Sequence, residues 1–487
     1  MAASSDKQRF IENLSLLYAA TFISKVFALI TNIILIRRLG ASIYGEFAFA
    51  MTLVTYFTLI ADSGLSPYGE ASVSKEKMNA GKIMGNIFSF NIVLSVFAAL
   101  LMLFTTFYIF KFGYIQRNML ALISVLPLVE AFGFTYAVRA VEKNQILALS
   151  AFIGRLVYFL GILIFVINKS YYIFSILFFV IGALLASVIQ FGFIRKVTSK
   201  IKLNFSISNF KHLVLNAMPF GLVSGLITIY LSLPVLFLKI FSTDKDIGYY
   251  YITYRLVVFI FVFFNLIGGA FIPIISDAIK NNDSDKQSSI LSELLRFIYT
   301  MAIPICFGGF IISKSIILKL FGYRYILSSN LLEIMVWSIL FVAVSSVFVG
   351  FLTALNDRKR LIFAALTATL AGFIASFLLI RSYGIYGAAI SNNLIEFAMS
   401  LCLSIFAIKH IKIKIDIINL IKVLIISAIM ALTVKALNYD LILSVISGAL
   451  IYGSLSLIFK TLRKGDILEL KKILSKTTGN IHDSDAN

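Results

Sequence analysis

The 487 residues are 60% hydrophobic and 14% charged, with a mean hydropathy of +0.96, a balance that excludes a soluble globular domain and makes lipid the principal solvent. The formal charge of +20 does not indicate nucleic acid, because the basic residues lie in short inter-helix loops and near the C-terminus rather than on one soluble basic domain; anionic headgroups account for it better. Cys306 and Cys402 both lie in apolar runs, far apart, so they read as packing residues, and no metal centre or cofactor is expected.

The first apolar run follows Lys7 and Arg9 and continues to Ile36, which is too long for a cleaved signal segment, so it is expected to remain as a span. Reading onward, the expected spans are 14–36, 44–66, 83–110, 115–138, 146–167, 171–194, 213–238, 247–275, 290–318, 326–354, 361–380, 385–408, 418–437 and 441–459. Each is long enough to cross a hydrocarbon core of about 30 Å as a helix. The expected fold class is an all-α polytopic membrane protein with about fourteen transmembrane helices. With the N-terminus in the cytoplasm, the loops of that side hold 26 Lys and Arg against 11 on the other, which places both termini in the cytoplasm. No connecting loop exceeds roughly twenty residues, so no soluble catalytic domain fits between spans. The tail from Thr461 begins as an amphipathic pattern (Ile467, Leu468, Leu470, Ile473, Leu474) and ends polar, as expected of a helix lying on the membrane surface.

A shift of 203 residues places Asn13 on Asn216 and Gly45 on Gly248. With a slightly different offset, the segment Arg139-Ala140-Val141-Glu142-Lys143-Asn144 parallels Thr353-Ala354-Leu355-Asn356-Asp357-Arg358. An internal duplication of six spans in the same orientation follows. The expected organisation is a six-helix bundle over 1–200, a second over 201–410, two added spans over 411–460 and a cytoplasmic tail over 461–487.

The same segments resemble the Wzx-type O-antigen and polysaccharide flippases of the MOP (multidrug, oligosaccharidyl-lipid, polysaccharide) superfamily. The resembling stretches are Arg38-Leu39-Gly40-Ala41-Ser42-Ile43-Tyr44-Gly45 with Ala61-Asp62-Ser63-Gly64-Leu65, and Ile247-Gly248-Tyr249-Tyr250 with Tyr254-Arg255-Leu256. Leu320-Phe321-Gly322-Tyr323 and Tyr383-Gly384-Ile385-Tyr386-Gly387-Ala388-Ala389 follow in the order that family shows. The resemblance implies two six-helix bundles around a V-shaped cavity, with spans thirteen and fourteen added. It also implies transport of an undecaprenyl-diphosphate-linked oligosaccharide across the bacterial inner membrane by alternating access. The partners it suggests are that lipid-linked sugar, membrane lipid, H⁺ or Na⁺ as coupling ion, and polysaccharide polymerase machinery.

Charged side chains at membrane depth are costly and concentrate where a wet cavity or a partner receives them. Lys25 lies in span one on a face with Thr21 and Asn32, Arg155 in the middle of span five, Arg255 in span eight and Arg296 nearer the cytoplasmic end of span nine. These four are the candidate cationic site for a diphosphate, which guanidinium forks grip bidentately and Lys meets as a point charge. The competing reading pairs them with Glu130, Glu333 or Glu396 as structural ion pairs. Glu130, Glu396, Asp62 and Glu333 are the candidate ion-coupling carboxylates, although the Asp-x-Gly-Leu setting of Asp62 reads as a helix-end marker. Tyr249, Tyr250, Tyr251 and Tyr254 read as an interfacial belt, with sugar stacking beside Arg255 as the alternative. Pro219, Gly221, Gly225 and Pro234 make span seven the candidate hinge, with a static kink as the alternative.

Two other functions compete. A glycan polymerase or ligase needs catalytic groups on a sizeable outer loop, whereas His212, His410 and His482 all fall on the cytoplasmic side and no catalytic spacing is present. A MATE-like multidrug exporter generally favours cationic cargo and an acidic cavity, while the candidate lining here is as basic as it is acidic. The expectation is therefore a carrier, not an enzyme.

Overall fold

The computed structural model describes residues 2–76, 79–109, 112–198 and 203–461, with side chains from Ile23 onward except those of 207–209, 212 and 223. The expected amphipathic tail and the side chain of Thr21 lie outside the described residues. Among those residues every long element is helical, and twelve helices are long and apolar enough to cross a membrane.

Two of the twelve are hairpins broken at a glycine. At Gly40 the backbone takes φ +79° and ψ 166°, inside the helix Ala2–Asp62. Tyr44 then donates to Asn32 Oδ1 at 3.1 Å, whereas twelve residues of unbroken helix would separate them by about 18 Å; the chain has turned back on itself. At Gly384, inside Arg358–His410, φ is +54° and ψ −128°. A Cβ on Gly387 would lie only 2.0 Å from the Leu379 carbonyl oxygen, so these arms also run back to back. Positive φ without a Cβ penalty is what glycine supplies at both turns. Counting the arms separately gives fourteen spans, as expected.

The duplication appears in the irregularities of the helices. Span two ends at Asp62 and continues after Ser63 and Gly64 as the short helix Leu65–Lys75, while span eight breaks at Phe271 and continues as Ile272–Lys280. Span four breaks after Ile123 and span ten after Met335. The turns leaving spans four and ten are the same motif: Glu142 and Asn356 both adopt left-handed backbone, with φ +59° and +56°. Lys143 N–H donates to Val138 O at 3.1 Å and Asp357 N–H to Leu352 O at 2.9 Å, the six-to-one bond of a Schellman C-cap in each half.

Packing groups Glu12–Gly248 into one compact unit, and the residues from Tyr249 onward carry the other. Span seven, Ile207–Phe241, thus packs with the first six spans although the repeat begins near residue 200. The reason is close approach: a Cβ on Gly64 would lie 2.3 Å from Ala217 O, and one on Gly221 2.8 Å from Ser63 O. Tyr56 and Ser232 share a hydrogen bond at 2.5 Å further along the same contact. In the second unit, spans thirteen (Ile417–Leu437) and fourteen (Leu441–Ile458) pack on span nine (Ser284–Phe321) through Met430, Val434 and Tyr452 against Phe307, Ile311 and Ile312. Tyr452 also donates to Thr300 O at 2.7 Å. Lys319 reaches Asp440 at 3.2 Å in the turn between the added spans. Its hydrogen bond, with a further one from the Leu441 N–H, holds that carboxyl below the ordinary aspartate range.

Cys306 is buried, with Sγ 3.4 Å from Val336 O, and neither Cys306 nor Cys402 is in a disulfide.

Candidate functional site

Helix packing fixes the level of the basic residues in the first unit. Phe27 of span one makes edge-to-face contacts with Phe152 and Phe159 of span five, at 5.9 and 5.3 Å between ring centroids. Those two rings bracket Arg155, and Phe27 lies two residues beyond Lys25, so the packing sets Lys25 and Arg155 at one height on neighbouring helices. Arg155 is half-buried and Lys25 exposed. Arg155 lies midway along Asn144–Phe165, about 15–17 Å from its ends.

In the second unit, Arg255 lies eleven residues into span eight, again at about mid-membrane depth. Its guanidinium stacks over the Tyr251 ring at 4.6 Å and donates to the Tyr251 hydroxyl. Tyr254 lies within electrostatic reach of both Arg255 and Glu396. Tyr249, Tyr250 and Tyr251 are only 6%, 1% and 5% exposed, which overturns the interfacial-belt reading. Span eight packs here against the 322–328 turn, where Tyr249 meets Tyr325 edge-on and Thr253 donates to Ser328 O at 3.1 Å. Arg296 is half-buried on span nine, its carbonyl accepting from Thr300 at 2.7 Å.

The candidate carboxylates divide by environment. Asp62 is committed to capping: Oδ2 accepts from Gly64 N–H at 3.2 Å, and Oδ1 from Ser66 N–H at 3.0 Å and from the Ser66 hydroxyl. That is the helix-end role its motif suggests. Glu130, on the short helix Leu126–Ala131, is exposed, with Asp62 as a neighbouring charge. Glu333 accepts from Ser313 at 3.0 Å. Glu396 is 4% exposed and faces Tyr250 and Tyr254. Among the described residues none of Glu130, Glu333 and Glu396 forms a salt bridge, so they are not the structural counter-ions of the basic set.

Span seven continues as one helix through Pro219 and Pro234. Gly221 is filled by its contact with Ser63 and Gly64, and a Cβ on Gly225 would meet Leu59 at an ordinary 3.5 Å.

The structure adds two basic residues that the sequence placed among outer loops. Arg38 donates to the carbonyls of Ile162, Leu163 and Val166 at 2.8, 2.8 and 2.9 Å, closing the C-terminus of span five. Lys239 reaches Gln116 Oε1 at 2.9 Å and Asp244 Oδ1 at 2.5 Å, with its ammonium 5.4 Å from the Phe49 ring centroid. Glu46 stands within electrostatic reach of both Asp244 and Lys239, and its Oε2 is buried without a hydrogen-bond partner. Two carboxylates therefore share one ammonium. The sequence signal available for this cluster is Gln116, a polar residue beside Arg117 and Asn118 in the first turns of span four.

The family model described as polysaccharide biosynthesis protein matches residues 10–279, and the MatE model matches 219–378. The probable low-salt glycan biosynthesis flippase Agl15 of Haloferax volcanii is 25% identical over 199 residues, 40% of this chain and 42% of that protein. This chain thus aligns with about two fifths of the length of that relative. Among solved structures, the lipid II flippase MurJ in an inward closed conformation superposes with a TM-score of 0.77 at 17% identity, covering 91% of this chain and 98% of that one. An inward-facing multidrug resistance MATE family transporter of the MOP superfamily gives 0.65 at 10% identity, over 80% and 94%. At such identities the structures establish a shared fold.

Proposed function

This chain belongs to the polysaccharide biosynthesis protein family, and from that premise we propose that it is a flippase for an undecaprenyl-diphosphate-linked oligosaccharide. The cargo is an O-antigen or related surface polysaccharide repeat unit, moved from the cytoplasmic to the outer leaflet of the bacterial inner membrane. Both termini are cytoplasmic in this reading, and alternating access carries the cargo. The supporting observation is the depth of the basic groups: Lys25 and Arg155 share one level in the first unit, and Arg255 occupies mid-membrane depth in the second. A diphosphate is the part of such a cargo that needs cations there, since the prenyl chain is apolar and the sugar is neutral or weakly charged. Arg296, nearer the cytoplasmic end of span nine, receives the diphosphate at entry.

Alternating access requires contacts between repeat-related helix ends to part, and the packing of Gly45 on Asp244 and of Gly248 on Ala41 is a contact of that kind. Coupling to H⁺ or Na⁺ falls to Glu396 and Glu130, carboxylates in no salt bridge among the described residues, with Asp62 and Glu333 as weaker candidates because each already accepts hydrogen bonds. Span seven is the hinge in this reading, with Pro219, Gly221, Gly225 and Pro234 as the positions that flex.

The deciding experiment deletes the gene and follows lipid-linked repeat units by leaflet. Accumulation on the inner leaflet with loss of surface polysaccharide is expected, restored by the wild-type gene. Normal surface polysaccharide with no accumulated intermediate would refute the reading.

A further inference from the structure

The second unit holds an open cavity of about 490 Å³ lined by Phe310, Glu333, Ile334, Trp337, Phe341, Asn393, Leu394 and Phe397. Three spans build it. Phe310 lies eleven residues before the end of span nine, Glu333 six residues into span ten, and Asn393 nine residues past the turn at Gly384. At about 1.5 Å per residue the lining therefore sits roughly 9–16 Å below these helix ends, at the level of lipid chains rather than of bulk water. None of the candidate cargo cations contributes to it.

The lining has an unusual balance of polar groups. Asn393 Nδ2 donates to Ile334 O at 2.6 Å, which fixes the amide orientation and leaves Asn393 Oδ1 buried without a hydrogen-bond partner. Glu333 contributes a carboxylate that takes one hydrogen bond, from Ser313. The lining thus offers a carboxylate and a buried amide oxygen as acceptors, against two kinds of donor: the Trp337 indole N–H and the Asn393 amide, which already gives one N–H to Ile334 O. Around them stand four aromatic rings, held by edge-on contacts of Trp337 with Phe307 at 5.3 Å and of Phe341 with Phe397 at 5.3 Å.

An aromatic box with one carboxylate and one unsatisfied carbonyl acceptor matches an ammonium head on an apolar body. The rings attract the cation, the carboxylate neutralises it, and its N–H bonds satisfy Asn393. We propose that this cavity binds a lipophilic primary ammonium ion, separately from the cargo site. A neutral alcohol of the same shape can donate one O–H bond to Asn393 but gives Glu333 no counter-charge, and an anionic amphiphile meets Glu333 with like charge, so the site discriminates by charge rather than by hydrophobic fit. The ammonium ion can come from an amine-headed lipid or from a free amphiphilic amine.

Trp337 is the single tryptophan of the chain, so its intrinsic fluorescence reports on this cavity without labelling. The full-length protein is placed in nanodiscs of pure phosphatidylcholine and titrated with 4-phenylbutylammonium, with 4-phenylbutanol as the neutral isostere. The expected result is a saturable change in Trp337 emission with the ammonium ion, at least about tenfold weaker for the alcohol and in Glu333→Gln. Glu333→Gln keeps the shape and an acceptor for Ser313, and Asn393→Leu, which removes the carbonyl acceptor, provides a second variant with the same expected loss. A parallel set of nanodiscs containing phosphatidylethanolamine separates the sources: a Glu333-dependent emission change on adding this lipid alone identifies the lipid, and a change only with added amine identifies the free amphiphile. Equal responses to amine and alcohol in the unmutated protein, or an unchanged affinity in Glu333→Gln, would overturn the proposal.

Discussion

Gly45 and Gly248, 203 residues apart and equivalent in the internal repeat, pack reciprocally: a Cβ on Gly45 would fall 1.7 Å from Asp244 O, and one on Gly248 2.0 Å from Ala41 O. Asp244 is itself the repeat partner of Ala41, so each helix start meets the other's equivalent position. Such contact needs glycine at both places, since a methyl group has nowhere to go except by parting the backbones. Gly45→Ala and Gly248→Ala are each expected to destabilise this state by about 1–3 kcal/mol. The check is thermal unfolding in detergent together with reactivity of a cysteine placed at Ser42, which should rise in both variants. Unchanged melting and reactivity would show that the helix ends are not tightly joined in the membrane protein.

Arg38 gives a separate stability test. Two of its three carbonyl contacts, to Leu163 O and Val166 O, reach groups past the last helical hydrogen bond of span five, with no water to replace a partner within lipid, while Ile162 O also accepts from the Val166 N–H at 3.3 Å. Arg38→Ala should cost about 1–3 kcal/mol, and Arg38→Lys should recover only part, because an ammonium lacks the planar fork. Unchanged thermal unfolding in Arg38→Ala would remove the capping role.

The Lys239 cluster predicts non-additivity. Lys239→Met leaves Asp244 and Glu46 facing each other without their shared ammonium, at an expected cost of about 2 kcal/mol. Adding Asp244→Asn to that variant removes the repulsion between the two carboxylates, so the double variant should be more stable than Lys239→Met alone. A double variant that simply sums the two single effects would show that the three groups do not interact.

Much of this architecture was readable in the sequence because lipid imposes a strict rule on span length and loop charge. The resembling motifs also marked real turning points: Gly40 and Gly384 are the hairpin breaks, Gly45 and Gly248 the close contact, and Asp62 the cap of the next helix. Glu142 and Asn356, aligned by the repeat, share the same left-handed turn. What composition and periodicity could not supply was which polar groups meet. The aromatic run of span eight looks the same whether it faces an interface or a neighbouring helix; only the packing against Tyr325 and Ser328 decides it. Lys239 and Arg38 sit at helix ends, where a sequence counts a loop charge and the fold finds a capping group or a clustered ion pair.

The last test concerns the basic residues themselves. If Lys25, Arg155 and Arg255 hold a diphosphate, then Ala at each position should reduce transport of the lipid-linked repeat unit by at least about tenfold, the loss expected for a charge-assisted hydrogen bond. Arg255→Lys should keep the charge but lose both the bidentate grip and the stack on Tyr251, so its activity should lie between wild type and Arg255→Ala. Tyr251→Phe retains the ring and removes the hydroxyl that Arg255 meets, isolating the stacking contribution from the hydrogen bond. Membrane protein levels and the melting temperature separate loss of transport from loss of fold. Full transport in all three alanine variants, at normal protein levels, would mean that the diphosphate is recognised elsewhere, and the cationic reading of the mid-membrane residues would fall with it.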